Sequence, residues 1–287
     1  MKNLIWLASY PKSGNTMLRL FLASYFFTDD GNFKNFSVLK HIVTLNKIEI
    51  LFRFKNHLDI IKKLKSNPSL ISEYWKPIQD NLIAKEKNKI FFMKTHNANI
   101  TYKNNAFTNN QFTKCFVYIV RDPRSVLLSM MSHYNFNSFD EAKNYLMSDK
   151  AITTVHNNLL PEIMLSWKSN YISWKNFLNK NNNIGIIVKY EDMVLRSELT
   201  FFNILKFICE KNNLNINKNK FSNSLESINF NKLSKMENIS HFPESVRSNQ
   251  KFFRKGIVDE WQDILPESIT TEIEKKYEDV LTKLKYI

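Results

Sequence analysis

The stretch Leu4-Ile5-Trp6-Leu7-Ala8-Ser9-Tyr10-Pro11-Lys12-Ser13-Gly14-Asn15-Thr16 decides the fold class of this chain. Leu4 to Ala8 is an unbroken apolar run of strand length, the pattern of a strand covered on both faces. Ser9 to Gly14 breaks that run with Pro and Gly. From Asn15 to Phe27 apolar residues recur at 3.6 spacing, with Leu18, Phe21, Leu22 and Tyr25 on one face, which predicts a helix. A strand, a short polar loop and a helix form the first half of a βα unit. Such a loop presents backbone N–H groups and a positive helix end beyond the strand, an arrangement that favours an anion.

The same alternation continues outward. Ile90-Phe91-Phe92-Met93, Cys115 to Val120 and Ile184 to Val188 read as further buried strands. Asp122-Pro123 offers an N-cap followed by Pro at the first helical position. Ser197 to Glu210 is amphipathic, and Pro161 to Lys180 and Pro266 to Lys285 are helical by period. Phe33 to Lys89 has weak periodicity and reads as a helical excursion beside the sheet. Short apolar runs alternating with amphipathic segments predict an α/β fold with a central parallel sheet flanked by helices. Neither a repeat nor a linker divides the chain, and the Asn-rich runs at 179–183 and 212–219 read as surface loops, so residues 1–287 are expected to form a single domain. In open parallel sheets, ligands bind beyond the carboxyl ends of the strands.

Composition sets bounds on function. The chain has 287 residues, 43% apolar and 24% charged, which fits a globular protein able to bury a sizeable core. It holds no apolar run of the roughly 18 residues a membrane span needs, and Leu4 to Ala8 is too short for a secretory core. Two cysteines, Cys115 and Cys209, argue against a disulfide framework or a Cys-rich metal site. A cytoplasmic location is therefore expected. The net charge of +14 points to an anionic partner, although 34 Lys and 37 Asn against 4 Gly also match the drift of an AT-rich coding sequence. Against that background the 7 Arg are informative, because a planar, bidentate fork is what Lys cannot supply.

Four segments carry chemistry. In the first loop Lys12 precedes Gly14, so the segment is not a Walker A loop, whose lysine follows the glycine. Lys94-Thr95-His96 ends the second strand and places a group that titrates near neutrality at the ligand edge. Arg121-Asp122-Pro123-Arg124-Ser125 follows the third strand, with Ser129 about two helical turns on; Arg plus hydroxyl is a phosphate grip. Late in the chain, Arg254-Lys255-Gly256 could close over a second phosphate.

In this order, and together with Tyr190-Glu191-Asp192-Met193, these motifs resemble the cytosolic-type sulfotransferases, from Ser9 to Trp261. That family transfers a sulfuryl group from 3′-phosphoadenosine 5′-phosphosulfate (PAPS) to an acceptor hydroxyl or amine on a P-loop-like three-layer fold. The resemblance implies that Lys12, Ser13, Gly14, Asn15 and Thr16 cradle the 5′-phosphosulfate, with Met17 beside the adenine. It implies Lys94 at the transferring group, His96 as general base, and Arg121 and Ser129 on the 3′-phosphate with Arg254, Lys255 and Gly256. Tyr190 and Phe230 would contact the adenine, and Lys12, Lys94, His96 and Ser129 would form the catalytic set. The family pattern has Thr at position 15 and Trp at position 17, where this chain has Asn15 and Met17. After Gly256 the pattern continues with a second Gly, an acid and Lys, where this chain has Asp259, Glu260 and Gln262.

Sulfuryl transfer, like phosphoryl transfer, is mostly positioning and electrostatics. One base, lysines and helix-end amides suffice, and the sequence carries no metal-ligand spacing. Two other classes compete: a P-loop-type nucleotide kinase, which lacks its Walker A lysine here, and a basic nucleic-acid-binding protein, for which no recognition motif is present. The expected acceptor is a small molecule, lipid-like or a sugar, with no nucleic acid partner. Variable segments near 33–74, 133–156 and 237–250 would form its pocket, and Phe52, Phe54, Tyr74, Tyr134, Phe136 and Phe139 are the aromatic candidates to line it.

Overall fold

A computed structural model describes residues 3–85, 90–240, 242–244, 252–253 and 256–287. The first strand, β1 (Leu4–Ser9), is the middle of a five-stranded sheet. Beyond it the chain forms β2 (Val43–Thr44), β3 (Phe91–Thr95), the short antiparallel pair β4 (Thr101–Tyr102) and β5 (Asn105–Ala106), then β6 (Thr113–Val120) and β7 (Gly185–Lys189). The sheet order is β2-β3-β1-β6-β7 and every pairing in it is parallel. Leu4 to Ala8 pair with Phe91 to Thr95 on one side and with the run ending at Tyr118 on the other.

Helices cover both faces. In chain order they are α1 (Asn15–Phe27), α2 (His57–Ser66), α3 (Trp75–Lys85), α4 (Pro123–Tyr134), α5 (Phe139–Met147) and α6 (Trp167–Lys180). After β7 come α7 (Tyr190–Leu195), α8 (Ser197–Asn212), α9 (Lys218–Ser227), α10 (Phe230–Ile239), α11 (Trp261–Ile264) and α12 (Glu267–Leu284). Strand alternation sorts the core into two layers. Leu4, Trp6 and Ala8 with Phe116, Tyr118 and Val120 face α3, α4, α6 and α12. Ile5 and Leu7 with Cys115, Val117 and Ile119 face α1, α8 and α9. Both sides of β1 are therefore apolar, which is why its sequence does not alternate. The three-layer arrangement expected from the sequence is the one present.

Leu18, Phe21, Leu22 and Tyr25 are all buried along α1, as its period requires. Asp122 caps α4 by accepting from the Arg124 N–H, with Pro123 at the first helical position. Two expectations are corrected. The helix expected from Pro161 begins only at Trp167, where the Ser166 side chain accepts from the Ser169 N–H. Residues 160–163 are instead drawn into backbone pairing, Leu160 with Asn46, Glu162 with Thr153 and Ile152 with Ile163. The excursion between Phe33 and Lys89 does hold 3-10 turns, α2 and α3, but it also contributes the edge strand β2, too short to show a period. Among the described residues, no helix is long and apolar enough to cross a membrane.

Candidate active site

The carboxyl ends of β1, β3, β6 and β7 open onto one large cavity of about 1470 Å³. The β1–α1 loop forms its floor. Lys12 sits there with φ +64° and Gly14 with φ +94°, so this loop holds a non-glycine residue in the left-handed region. Such strain costs on the order of 1–3 kcal/mol and collects at functional sites. A side chain on Gly14 would run into the Tyr190 ring, so glycine here lets the tyrosine lie against the loop. The Asn15 amide nitrogen is spent on the strand: Nδ2 donates to Leu7 O at 3.0 Å and to Ser9 Oγ at 3.3 Å. What Asn15 and Thr16 offer a ligand is the first turn of α1, whose N–H groups lack helical partners. The Ser13 hydroxyl is buried without a hydrogen-bond partner.

Burial and the neighbouring Arg121 guanidinium lower Lys12 to about 8. Its Nζ lies 4.8 Å from the Phe252 ring centroid. Arg121 leaves the end of β6, donates through Nη1 to Lys12 O at 3.0 Å, and spreads its guanidinium 4.3 Å over the Tyr190 ring. Its Nε is buried and unpartnered. Ser129 lines the same cavity from α4, as do Met17 from α1, Tyr190 from the start of α7 and Phe230 from the start of α10. Gly256, at φ +64°, lies against Phe230, where a Cβ would approach the ring to 2.7 Å.

At the end of β3, Lys94 is buried and His96 borders the cavity. His96 Nδ1 lies 2.8 Å from Ser9 O, a contact only a protonated Nδ1 can make as a hydrogen bond, and the other ring nitrogen, Nε2, is then the unprotonated one. Burial, and then the Lys94 ammonium, hold the imidazole well below its usual pKa. Burial also lowers Lys94, opposed by Glu162. Glu162 is the hub under this strand end. It accepts from the His96 backbone N–H at 2.7 Å and from Asn46 Nδ2 at 2.8 Å, and lies 3.8 Å from Lys94 Nζ.

The family model for the sulfotransferase domain matches residues 2–285. This chain belongs to the sulfotransferase family. The enzymes of that family draw their sulfuryl group from PAPS, and this one is a PAPS-dependent sulfotransferase. Its fold is that of mouse sulfotransferase SULT7A1 in a complex with PAP, at 18% identity and TM-score 0.60 over 98% of this chain and 84% of the other. Two structures of retinol dehydratase are alike too. One, with androsterone and inactive cofactor PAP, shows 18% identity and TM-score 0.61 over 98% and 81% of the two chains. The other, with retinol and PAP, shows 19% and 0.61 over 98% and 82%. No curated protein sequence matches the chain.

The sulfotransferase brings most of the expected residues to one cavity: Lys12, Gly14 to Met17, Lys94, His96, Arg121, Ser129, Tyr190, Phe230 and Gly256 all line it. Ser13 lies beneath the loop rather than on the cavity wall. Arg254 and Lys255 lie outside the described residues. Arg124 is structural, held by Asp122, Glu274 and Tyr286 O, with its guanidinium 3.8 Å over the Trp261 ring. Of the six aromatic candidates for the acceptor pocket only Tyr134 lines the cavity. Phe54, Tyr74, Phe136 and Phe139 pack against the core, and Phe52 is exposed.

Three residues that line the cavity escaped the sequence reading. Glu162 was hidden inside an expected helix. His133 lines the cavity one turn beyond Ser129, at i+4 on α4, and that spacing is the signal that could have found it. Burial, then Lys12 and Lys94, lower His133 to about 4. Arg19 is buried in α1 and pairs with Glu244 through two bonds of 2.7 and 2.5 Å, tying the segment at 242–244 to the loop helix.

Proposed function

We propose that residues 1–287 form one sulfotransferase domain, cytoplasmic in location, that moves a sulfuryl group from PAPS to the hydroxyl of a small acceptor by in-line transfer, with His96 as general base. The observation that carries this reading is the 2.8 Å approach of His96 Nδ1 to Ser9 O: a carbonyl oxygen accepts only from a protonated Nδ1, which leaves Nε2 as the proton acceptor. PAPS supplies an activated sulfuryl group on a phosphate leaving group. The fit of the site to it rests on the chain's own groups. Arg121 Nε is a buried donor lacking a partner beside the cavity, and Lys12 and Arg121 repel each other across the loop, a configuration relieved by an anion.

In this reading Lys12 and the first-turn amides of α1 offset charge on the leaving phosphate, and Lys94 does so at the transferring group. Arg121 and Ser129 hold the 3′-phosphate, and Tyr190, Phe230 and Met17 flank the adenine, with Gly256 letting its loop lie against Phe230. His96 accepts the acceptor's proton, its ring held by Ser9 and its backbone by Glu162. The cytoplasmic location is supported by Cys115 and Cys209, both buried thiols without a disulfide.

Calorimetric titration with PAP beside ADP, both without Mg²⁺, tests the cofactor reading. Micromolar PAP binding with ADP at least tenfold weaker is expected, because ADP leaves the 3′-phosphate donors unpaired. Equal affinities, or binding only with Mg²⁺, would place the protein with the nucleotide kinases. His96→Ala is expected to abolish transfer while PAP affinity stays within about threefold of wild type. A retained rate would remove His96 from the base role.

A further inference from the structure

Arg121 and Tyr190 stand at matching places in the sheet. Strands β6 and β7 pair in parallel up to Val120 and Lys189, and the next residue of each chain segment is one of these two. Beside them lies a cluster that sulfuryl transfer does not use: Asp122, Arg124, Lys189, Glu191 and Tyr286, none of which lines the cavity. Glu191 is its centre. The side chain is buried, and its carboxylate faces two ways. Oε1 accepts from the Asp122 N–H at 3.0 Å, and Oε2 accepts from the Tyr286 hydroxyl at 2.7 Å. Burial pushes this carboxyl up, and its two donors oppose the shift. One side chain of the β7–α7 turn thus holds the backbone of the β6–α4 turn at the residue after Arg121.

Tyr286 reaches Glu191 because of the way α12 stops. Lys285 takes the left-handed conformation, φ +56°, that glycine usually supplies at a helix end. The Lys285 N–H donates to Thr282 O at 3.0 Å and the Tyr286 N–H to Leu281 O at 2.9 Å, the paired bonds of a Schellman stop. The chain turns back there, and three side chains hold Tyr286. Glu191 takes its hydroxyl, and Arg124 Nη2 donates to its carbonyl at 2.9 Å. Lys189 places its ammonium 4.0 Å over the Tyr286 ring while donating to Leu284 O at 2.8 Å. Each of these holders lies within three residues of Arg121 or Tyr190 in the sequence.

We infer that Glu191 and Tyr286 are positioning residues for Arg121: the carboxylate, held from behind by the phenol, fixes the Asp122 N–H and with it the direction in which the preceding arginine leaves β6. The inference rests on the PAPS reading of the cavity, in which Arg121 holds the 3′-phosphate. A guanidinium fork recognises an anion by direction as well as by charge, so its anchoring matters to its selectivity. Arg121 is already held at its own carbonyl by Trp167 Nε1 at 3.0 Å, at Nη1 by Lys12 O and at its face by the Tyr190 ring. The peptide that follows it is held by Glu191. Without that acceptor the buried Asp122 N–H goes unpaired or the turn shifts to satisfy it, and a shift there moves Arg121. A carboxylate suits the task because an ionised acceptor bonds a backbone N–H more strongly than a neutral one.

Calorimetric titration of the full chain with PAP and with ADP reads this directly, since only PAP carries the group that Arg121 grips. Tyr286→Phe keeps the ring against Lys189 and removes the hydroxyl alone. It is expected to weaken PAP three- to tenfold and ADP less than twofold. Glu191→Ala should give the same split with a larger loss of PAP. Glu191→Gln should bring PAP back to within threefold of wild type, because a carboxamide oxygen still accepts from the Asp122 N–H and its nitrogen donates to the phenol. Should Glu191→Ala fail to fold, Tyr286→Phe decides alone. PAP and ADP weakened in proportion would overturn the inference, leaving the cluster as a fold contact only. An unmoved PAP affinity in Tyr286→Phe would overturn it as well. Equal binding of PAP and ADP by the wild-type protein would instead overturn the cofactor reading, and the inference with it.

Discussion

Two side chains set opposite limits on this site. In the proposed mechanism His96 works only when neutral, and burial and Lys94 keep it neutral until the pH falls well below the usual imidazole value. Lys12 in that mechanism works only when charged, and its lowered value of about 8 means that the free protein loses this cation as the pH rises through 8. The profile of kcat/KM should therefore hold flat through neutrality and fall above about pH 8. Bound phosphosulfate would raise Lys12, so the alkaline limb of kcat should lie at higher pH than that of kcat/KM. Lys12→Arg should remove the limb from kcat/KM, and a limb unchanged in that variant would assign it to another group. Glu162 acts through its neighbours: it raises Lys94 and holds the His96 backbone. Glu162→Gln should lower kcat more than it raises KM and draw an alkaline limb downward, measured by the same pH series. Lys12, Lys94, His96 and Arg121 were legible because each follows a recognisable strand. Glu162 was not, since its role comes from a hairpin that joins positions 66 residues away to the end of β3.

At the scale of elements, the loop helix α1 is fastened at both ends of its first turns. Asn15 ties its start to β1, and Arg19 ties it to Glu244 of a segment more than 220 residues later. The Arg19 side chain is 2% exposed and that of Glu244 33%. Breaking a buried ion pair by removing one partner costs about 3–5 kcal/mol. Because Glu244 keeps a third of its side chain in water, Arg19→Met should cost about 2 kcal/mol, a fall in Tm of about 3–4 °C. The pH dependence fixes the cause. Burial alone would raise Glu244, but Arg19 pulls it down to about 2. A carboxyl depressed in the folded state contributes stability above its unfolded value and loses it as the pH falls toward 2. Acid unfolding should therefore flatten in Arg19→Met, and an equal acid slope in both proteins would place the loss in packing instead. Long periodic helices such as α1, α8 and α12 could be read from the chain because their buried faces repeat over three or more turns. Pro161 to Ser166 was read as helix because Pro commonly opens one, but backbone partners at Asn46 and Thr153 outweigh that local preference.

Across the whole molecule, the sheet separates two cores of buried residues. One buries Trp6, Phe116 and Trp174 and the other Leu7, Phe21 and Phe201. The residues proposed to hold the cofactor belong to both sides. Ser129 lies on α4, which packs on the first core, while Met17, Tyr190 and Phe230 lie on elements that pack on the second. A nucleotide that engages Arg121, Ser129 and the α1 loop together therefore links the two layers at the edge where the bare fold has unpartnered donors. Binding at a hundred times Kd stabilises a folded protein by about 2.7 kcal/mol, which for a chain of this size is a rise in Tm of about 4–5 °C. PAP at that concentration should give such a rise, and the same concentration of ADP, bound at least tenfold more weakly, about half of it or less. Arg121→Ala should bring the two nucleotides to nearly equal shifts, because it removes the donor that distinguishes them, weakening PAP by about 1.5–3 kcal/mol. If Arg121→Ala instead lowers both shifts in proportion, the arginine supports the loop through its bond to Lys12 O, and the 3′-phosphate must be recognised elsewhere in the cavity.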